Sequence, residues 1–351
     1  MTEMYIPKEK LAGVVEDLIG RQRVYGPVFD GAYHNFEEIK SAGALDLAYS
    51  NTRLSAKGLF HPHSERMFEY SLASGDPEAG VLKETEKDYS PRVVLGMRPC
   101  DARALKIMDR NFNSPQYGDP WWVKRIEATT IVGLACNAPC GTCFCTTAGS
   151  GPFDDSGLDA MLVDLGEGYL ARAVTDKGSA LLSQISKGSA APADAAQKAD
   201  ALRRSAEAAI GLQFDVGSIT GKDSMELFNS PIWEEIQFAC INCGTCTFLC
   251  PTCWCFDIQD ETHGEHGDRI RIWDSCMFPL FTLHGSGHNP RQNKAQRVRQ
   301  RFMHKLRYYP EKYGDGIACT GCGRCVRACP VNIDIRNVAR LMSSSACVRP
   351  A

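Results

Sequence analysis

Apolar residues within 7–19 fall at Leu11, Val14, Val15, Leu18 and Ile19, a spacing that lines one face of a helix. Pro7 stands where a helix start tolerates proline. From Arg23 to about Tyr70 the pattern breaks into short strand-like pieces separated by Gly and Pro. Two continuous apolar runs follow, Arg92–Met97 and residues 129–135, and each reads as a buried strand. If parallel in one sheet, they bring Cys100 and Cys136 to the edge where open α/β sheets place ligands. Residues 102–112 return to helical spacing, with Asp101 as the expected N-cap. Residues 161–165 and 169–174 flank Gly166-Glu167-Gly168, a hairpin signal. A helix is expected over 175–185, and a solvated one over 201–210 beyond an Ala/Gly/Ser/Lys-rich stretch. The pattern predicts an α+β chain. An N-terminal α/β domain spans 1–223, and a ferredoxin-like domain spans 224–351 with a long helical insert at about 253–315.

A chain of 351 residues suggests more than one domain, and 44% hydrophobic residues is ordinary for a globular protein. A net charge of −3 gives no reason to expect nucleic acid or an anionic membrane as partner. The first twenty residues carry acids and lysines where a signal peptide needs an apolar core. No run approaches the roughly 18 apolar residues of a membrane span. A cytoplasmic location is therefore expected. Seventeen cysteines in a reducing compartment point to metal ligands rather than disulfides.

Two stretches carry most of the chemistry: Cys240-x2-Cys243-x2-Cys246-x3-Cys250-Pro251 and Cys319-x2-Cys322-x2-Cys325-x3-Cys329-Pro330. This spacing wraps a cubane [4Fe–4S] cluster, and the fourth cysteine of each run crosses to the other cluster in two-cluster proteins. One cluster is expected on Cys240, Cys243, Cys246 and Cys329, a second on Cys319, Cys322, Cys325 and Cys250. Zinc sites favour two separated Cys-x2-Cys pairs and do not read this way. Five further cysteines, Cys100, Cys136, Cys140, Cys143 and Cys145, supply enough sulfur for a third cluster, with a structural zinc or free thiols as alternatives.

Between the motifs lie Cys253, Cys255, Cys276, His284 and His288, any of which could frame a further site. A basic run from Arg291 to Arg307 has no intervening acid and reads either as a solvated helix face or as a docking surface for an acidic partner. His61 and His63 read as loop histidines. Arg98, Arg324 and Arg327 adjoin ligand cysteines, either as surface charges or as groups that raise cluster potential or dock a partner. No Walker motif, activated Ser–His pair or Gly-x-Gly-x-x-Gly after a strand is present.

These residues together resemble the iron–sulfur protein family that includes the sulfhydrogenase beta subunit, with a counterpart in anaerobic sulfite reductase. The matching pieces are Arg98-Pro99-Cys100-Asp101, Cys143-Phe144-Cys145, Cys250-Pro251-Thr252-Cys253-Trp254-Cys255, Trp273-Asp274-Ser275-Cys276 and Cys322-Gly323-Arg324-Cys325, in order over roughly residues 90–337. In that family the position of Cys140 is often glycine. The resemblance therefore implies Cys100, Cys136, Cys143 and Cys145 as third-cluster ligands, with Cys140 spare. It also implies single-electron transfer between a separate catalytic redox subunit and a flavin-containing, NAD(P)H- or ferredoxin-linked subunit. The alternative is a disulfide- or sulfite-reducing subunit with its own site near Cys253, Cys255 and Cys276.

Overall fold

The computed structural model describes residues 3–344, and Cys347 lies outside them. The first part is built on a seven-stranded sheet of β1 (Glu3–Pro7), β2 (Arg23–Phe29), β3 (His34–Ile39), β6 (Arg92–Met97), β7 (Thr129–Leu134), β8 (Ala160–Asp164) and β9 (Gly168–Ala173). Its order is β1-β9-β8-β7-β6-β2-β3. The four central strands, β8, β7, β6 and β2, are parallel, and antiparallel strands close both edges. The two expected apolar strands are β6 and β7, paired with Leu95 opposite Val132. Buried on both faces, they need continuous apolar sequence rather than alternation.

Helices cover both faces. Lys8–Ile19 packs Val14, Val15 and Leu18 on one side, joined by Leu181 and Leu182 of Asp176–Ser183. On the other, Pro99–Phe112 inserts Ala102, Leu105, Met108 and Phe112 beside Trp122. This second helix starts earlier than periodicity suggests. Arg98 is its N-cap, Pro99 occupies the first position, and Asp101 lies inside the first turn and points elsewhere. The helix expected over 201–210 runs Ala195–Ile210. β1 had no strand signal; it adds to the sheet edge against β9.

The insert departs from the all-helical expectation. Its first half is a long hairpin, β10 (Phe256–His263) and β11 (His266–Trp273). This joins β4 (Ser64–Ser71) and β5 (Lys83–Glu84) in a four-stranded sheet of order β10-β11-β4-β5. Its second half is helical, Lys294–Met303 continuing through Tyr313. The hairpin thus ties the C-terminal half to the N-terminal half. A third core, centred on Trp233, Met277, Phe302, Leu306 and Ile335, supports the cysteine loops. Among the described residues no helix is long and apolar enough to cross a membrane.

Candidate metal centres

Each half of the ferredoxin pattern folds as a loop followed by a single helical turn, Thr245–Phe248 or Arg324–Arg327. Pro330 and Pro251 then end the pattern. Cys240, Cys243, Cys246 and Cys329 line one cavity with about 470 Å³ of empty space. Cys329, the fourth cysteine of the second motif, thus lies on the wall of the cavity lined by three cysteines of the first. Backbone N–H groups already aim at these sulfurs, Asn242 at Cys240 Sγ (3.4 Å) and Ile333 at Cys329 Sγ (3.2 Å). Cys250 reciprocates, facing Cys319, Cys322 and Cys325. Its thiol meets Thr252 Oγ1 at 3.2 Å, and the Gly321 amide points at Cys319 Sγ at 3.5 Å. Burial pushes the thiols of Cys319 and Cys322 up to about 12.

The third set assembles where the sheet predicts. Cys100 follows β6 and Cys136 follows β7, so parallel pairing brings them to one edge. With Cys143 and Cys145 they line a second cavity of about 370 Å³, bounded by Arg98, Pro139, Pro152 and Gly321. Cys140 lies beside Cys143, with the sulfurs 2.8 Å apart, and is not part of that lining. Contact between the two lowers the Cys140 thiol and raises that of Cys143.

The loops holding the second and third sets touch backbone to backbone. Phe144 N–H donates to Gly321 O at 2.8 Å. Gly321 and Gly323 have φ of +65° and +72°, and a Cβ on either would collide with the backbone of Phe144–Cys145 or Thr142. Only glycine combines that conformation with that approach. As a result Cys322, of the second set, lines the cavity of the third. At the other end Cys246 lies beside Cys250 and Cys325, linking the first set to the second.

Several arginines and lysines for which the sequence left a surface position open are turned inward. Arg324 is 1% exposed and grips Asp101 through two bonds of 2.6 and 2.7 Å, with Thr52 O and Oγ1 as further acceptors. Arg98 is buried, donates to Ala135 O at 2.7 Å and stacks 4.4 Å from the Tyr49 ring. Arg327 does reach the surface, with Nη1 4.0 Å from Cys140 Sγ. The basic run is neither a solvated face nor a docking surface over its central part. Arg297, Arg301 and Lys305 are buried. They recur every four residues, one helical face. Arg301 lies by Cys246 and Cys325, and Lys305 by Cys250 and Cys319. Among the described residues the Nε atoms of Arg98 and Arg301 find no hydrogen-bond partner. Orphaned cationic donors beside converging thiols fit an anionic iron–sulfur group, which would supply the missing acceptors.

The four histidines singled out in the sequence line neither cysteine cavity. His61 lies in the loop before β4, as expected, but is 1% exposed, packed among Phe112, Phe256 and Trp273. His63 packs on Trp273. His284 and His288 are exposed and meet edge to face, ring centroids 5.3 Å apart.

A protein-family model described as a 4Fe-4S dicluster domain matches residues 239–333, the stretch holding the first two sets. The chain is 32% identical to sulfhydrogenase 2 subunit beta of Pyrococcus furiosus over 319 residues, covering 89% of this chain and 90% of that one. No solved structure matches it.

Proposed function

From the premise that this chain belongs to the sulfhydrogenase beta subunit family, we propose that it conducts single electrons within a multi-subunit redox complex. The observation that carries this is the continuity of the three cysteine sets. Cys322 of the second lines the cavity of the third, and Cys246 of the first adjoins Cys250 and Cys325 of the second. In this reading Cys240, Cys243, Cys246 and Cys329 hold one [4Fe–4S] cluster. Cys250, Cys319, Cys322 and Cys325 hold another, and Cys100, Cys136, Cys143 and Cys145 a third. Bound clusters of this type supply one-electron carriers whose potential follows local hydrogen bonds, charge and exposure.

The chain's own residues set those conditions. The glycine-lined loops fix the spacing of the sets, burial excludes water from the second, and Arg98, Arg301 and Lys305 hold positive charge against the sulfurs. The row reaches the surface at the first set. Cys243 is exposed there, and Phe238 and Ile241, 84% and 62% exposed, lie beside it in sequence. A partner subunit docks at this end. A flavin-containing subunit linked to NAD(P)H or ferredoxin exchanges electrons with the row, and a separate catalytic redox subunit takes or gives them at its other end. The complex works in the cytoplasm, where free thiols persist.

Reconstituted anaerobically with iron and sulfide, the full chain should bind at least about 12 irons, four per set. Cys100→Ala combined with Cys136→Ala should remove about four of them and leave the rest. Eight irons or fewer in the unsubstituted chain would overturn the three-set reading.

A further inference from the structure

Cys253, Cys255 and Cys276 stand outside these sets. The first two follow the Cys250-Pro251-Thr252 turn, and the third arrives from β11 through Trp273-Asp274-Ser275. The Asp274 amide donates to Cys255 O at 3.0 Å and holds the two segments side by side. There the thiols of Cys255 and Cys276 meet. Cys253 lies near both and touches Cys250. A Cys-x-Cys pair joined by a distant cysteine repeats the arrangement of Cys143, Cys145 and Cys100.

The surroundings are cationic. Lys57, Lys305 and Arg301 are 2%, 4% and 5% exposed. Lys57 Nζ donates to Cys253 O at 2.7 Å and sits 4.0 Å from the centre of the Trp273 ring. Lys305 Nζ donates to Thr252 Oγ1 at 2.8 Å and Ala318 O at 3.2 Å. Among the described residues none of the three forms an ion pair with a carboxylate. Burying an unpaired cation is strongly unfavourable, so the fold requires negative charge close by. Sulfurs of the first and second sets face Arg301 and Lys305, and Cys253 lies close to both cations. Lys57 faces Cys253, Cys250 and Cys255.

We propose that Cys253, Cys255 and Cys276 are the three protein ligands of a fourth [4Fe–4S] cluster, adjoining the second through the Cys250–Cys253 contact. A single zinc ion fits less well. Bonds of about 2.3 Å in a tetrahedron bring thiolate sulfurs within about 3.8 Å of each other. Among the described residues no three cysteine sulfurs lie within 4.8 Å of one another. Three thiolates on a cube leave one iron without cysteine, and the cationic lining suits a small anion there, such as a thiolate or sulfide. The site thus branches from the electron row at its middle.

This inference rests on the three-set reading for its baseline, and iron stoichiometry separates the two. The full chain, reconstituted anaerobically, should hold about 16 irons. The triple variant Cys253→Ala, Cys255→Ala, Cys276→Ala should hold about 12. Mössbauer spectra of the unsubstituted chain should show about one iron in sixteen in a distinct environment that shifts when a small thiol is added. That measurement decides the matter even if the triple variant fails to fold. About 12 irons in both chains would overturn the proposal. So would about 12 irons with one zinc that the triple variant loses, or with a Cys255–Cys276 disulfide found by mass spectrometry. Eight irons or fewer in both would instead sink the three-set reading.

Discussion

Arg324 and Asp101 are each 1% exposed, and their side chains meet through two short bonds at the seam between the two halves. Asp101 also accepts from Ser55 Oγ at 3.0 Å. Removing one partner of such a pair leaves an uncompensated buried charge, at a cost of about 3–5 kcal/mol. Arg324→Leu should therefore lower the unfolding free energy by about that much in anaerobic denaturant titrations. Arg324→Leu with Asp101→Leu should lose clearly less, and equal losses would mean that the charge pair is not what Arg324 contributes. Because Asp101 largely cancels its charge, Arg324 is a weak tuner of cluster potential. Arg301 is different, since it is buried beside Cys246 and Cys325 with no acid paired to it. A unit charge about 6 Å away at an effective dielectric of about 20 is worth about 2.8 kcal/mol. For one electron that corresponds to about 120 mV. Arg301→Gln should thus make reduction harder, lowering the midpoint of an EPR-detected redox titration by on the order of 100 mV. An unchanged midpoint would remove Arg301 from this role.

The loop from Cys319 to Cys325 packs against the Cys140–Cys145 loop only because Gly321 and Gly323 carry no side chain. Gly323→Ala adds left-handed strain of about 1–3 kcal/mol to a backbone collision. It should lower the thermal midpoint and cost iron from the third set before the first, as iron counts on partly reconstituted protein would show. Loss of iron from all sets alike would point to general misfolding instead. Contacts of this kind are invisible in the sequence, where a glycine after a ligand cysteine reads only as a turn. The central strands were legible because β6 and β7 are buried on both faces and write that burial as unbroken apolar runs. The grouping of the cysteines had its own signals. Spacing suggested the first two, sheet-edge logic and a family resemblance the third, and the fold brings the same cysteines together. The hairpin was not legible. β10 exposes nearly every side chain, and β11 finds its partner β4 about 200 residues away in sequence. The inward cations were half legible. Arg297, Arg301 and Lys305 repeat every four residues, but a charged face ordinarily meets water, and nothing local announces the sulfurs opposite.

At the scale of the whole molecule, the hairpin of the C-terminal half is bolted to the N-terminal half by a buried charge network. Arg271 donates to Glu65 Oε2 at 2.5 Å and pairs with Asp119, and Arg125 pairs with Glu65 from the other side. His61 lies just inside this network, and among the described residues neither ring nitrogen finds a hydrogen-bond partner. Burial, aided by the positive charge of Arg271, Lys57 and Arg125, holds its pKa down at about 3 against an ordinary 6.5. His304, packed edge-on against Trp254, is held at about 4 for the same leading reason. The sign of the resulting pH dependence follows from proton counting. Above pH 6.5 these rings are neutral in both states and contribute no dependence. Between pH 6.5 and about 4 the unfolded chain takes up protons that the folded chain refuses, so stability falls as pH falls. Each histidine contributes a slope of up to about 1.4 kcal/mol per pH unit. His61→Phe keeps the aromatic packing against Phe112, Phe256 and Trp273 and removes the titrating ring. Its urea midpoint should drop less than the parent's between pH 7 and pH 5, by up to about 2 kcal/mol in free energy over the interval where the ring titrates. Carboxylates titrate equally in both proteins and cancel in the comparison. Parallel pH profiles for the two would show that His61 is protonated in the folded state, and that the seam between the halves admits water.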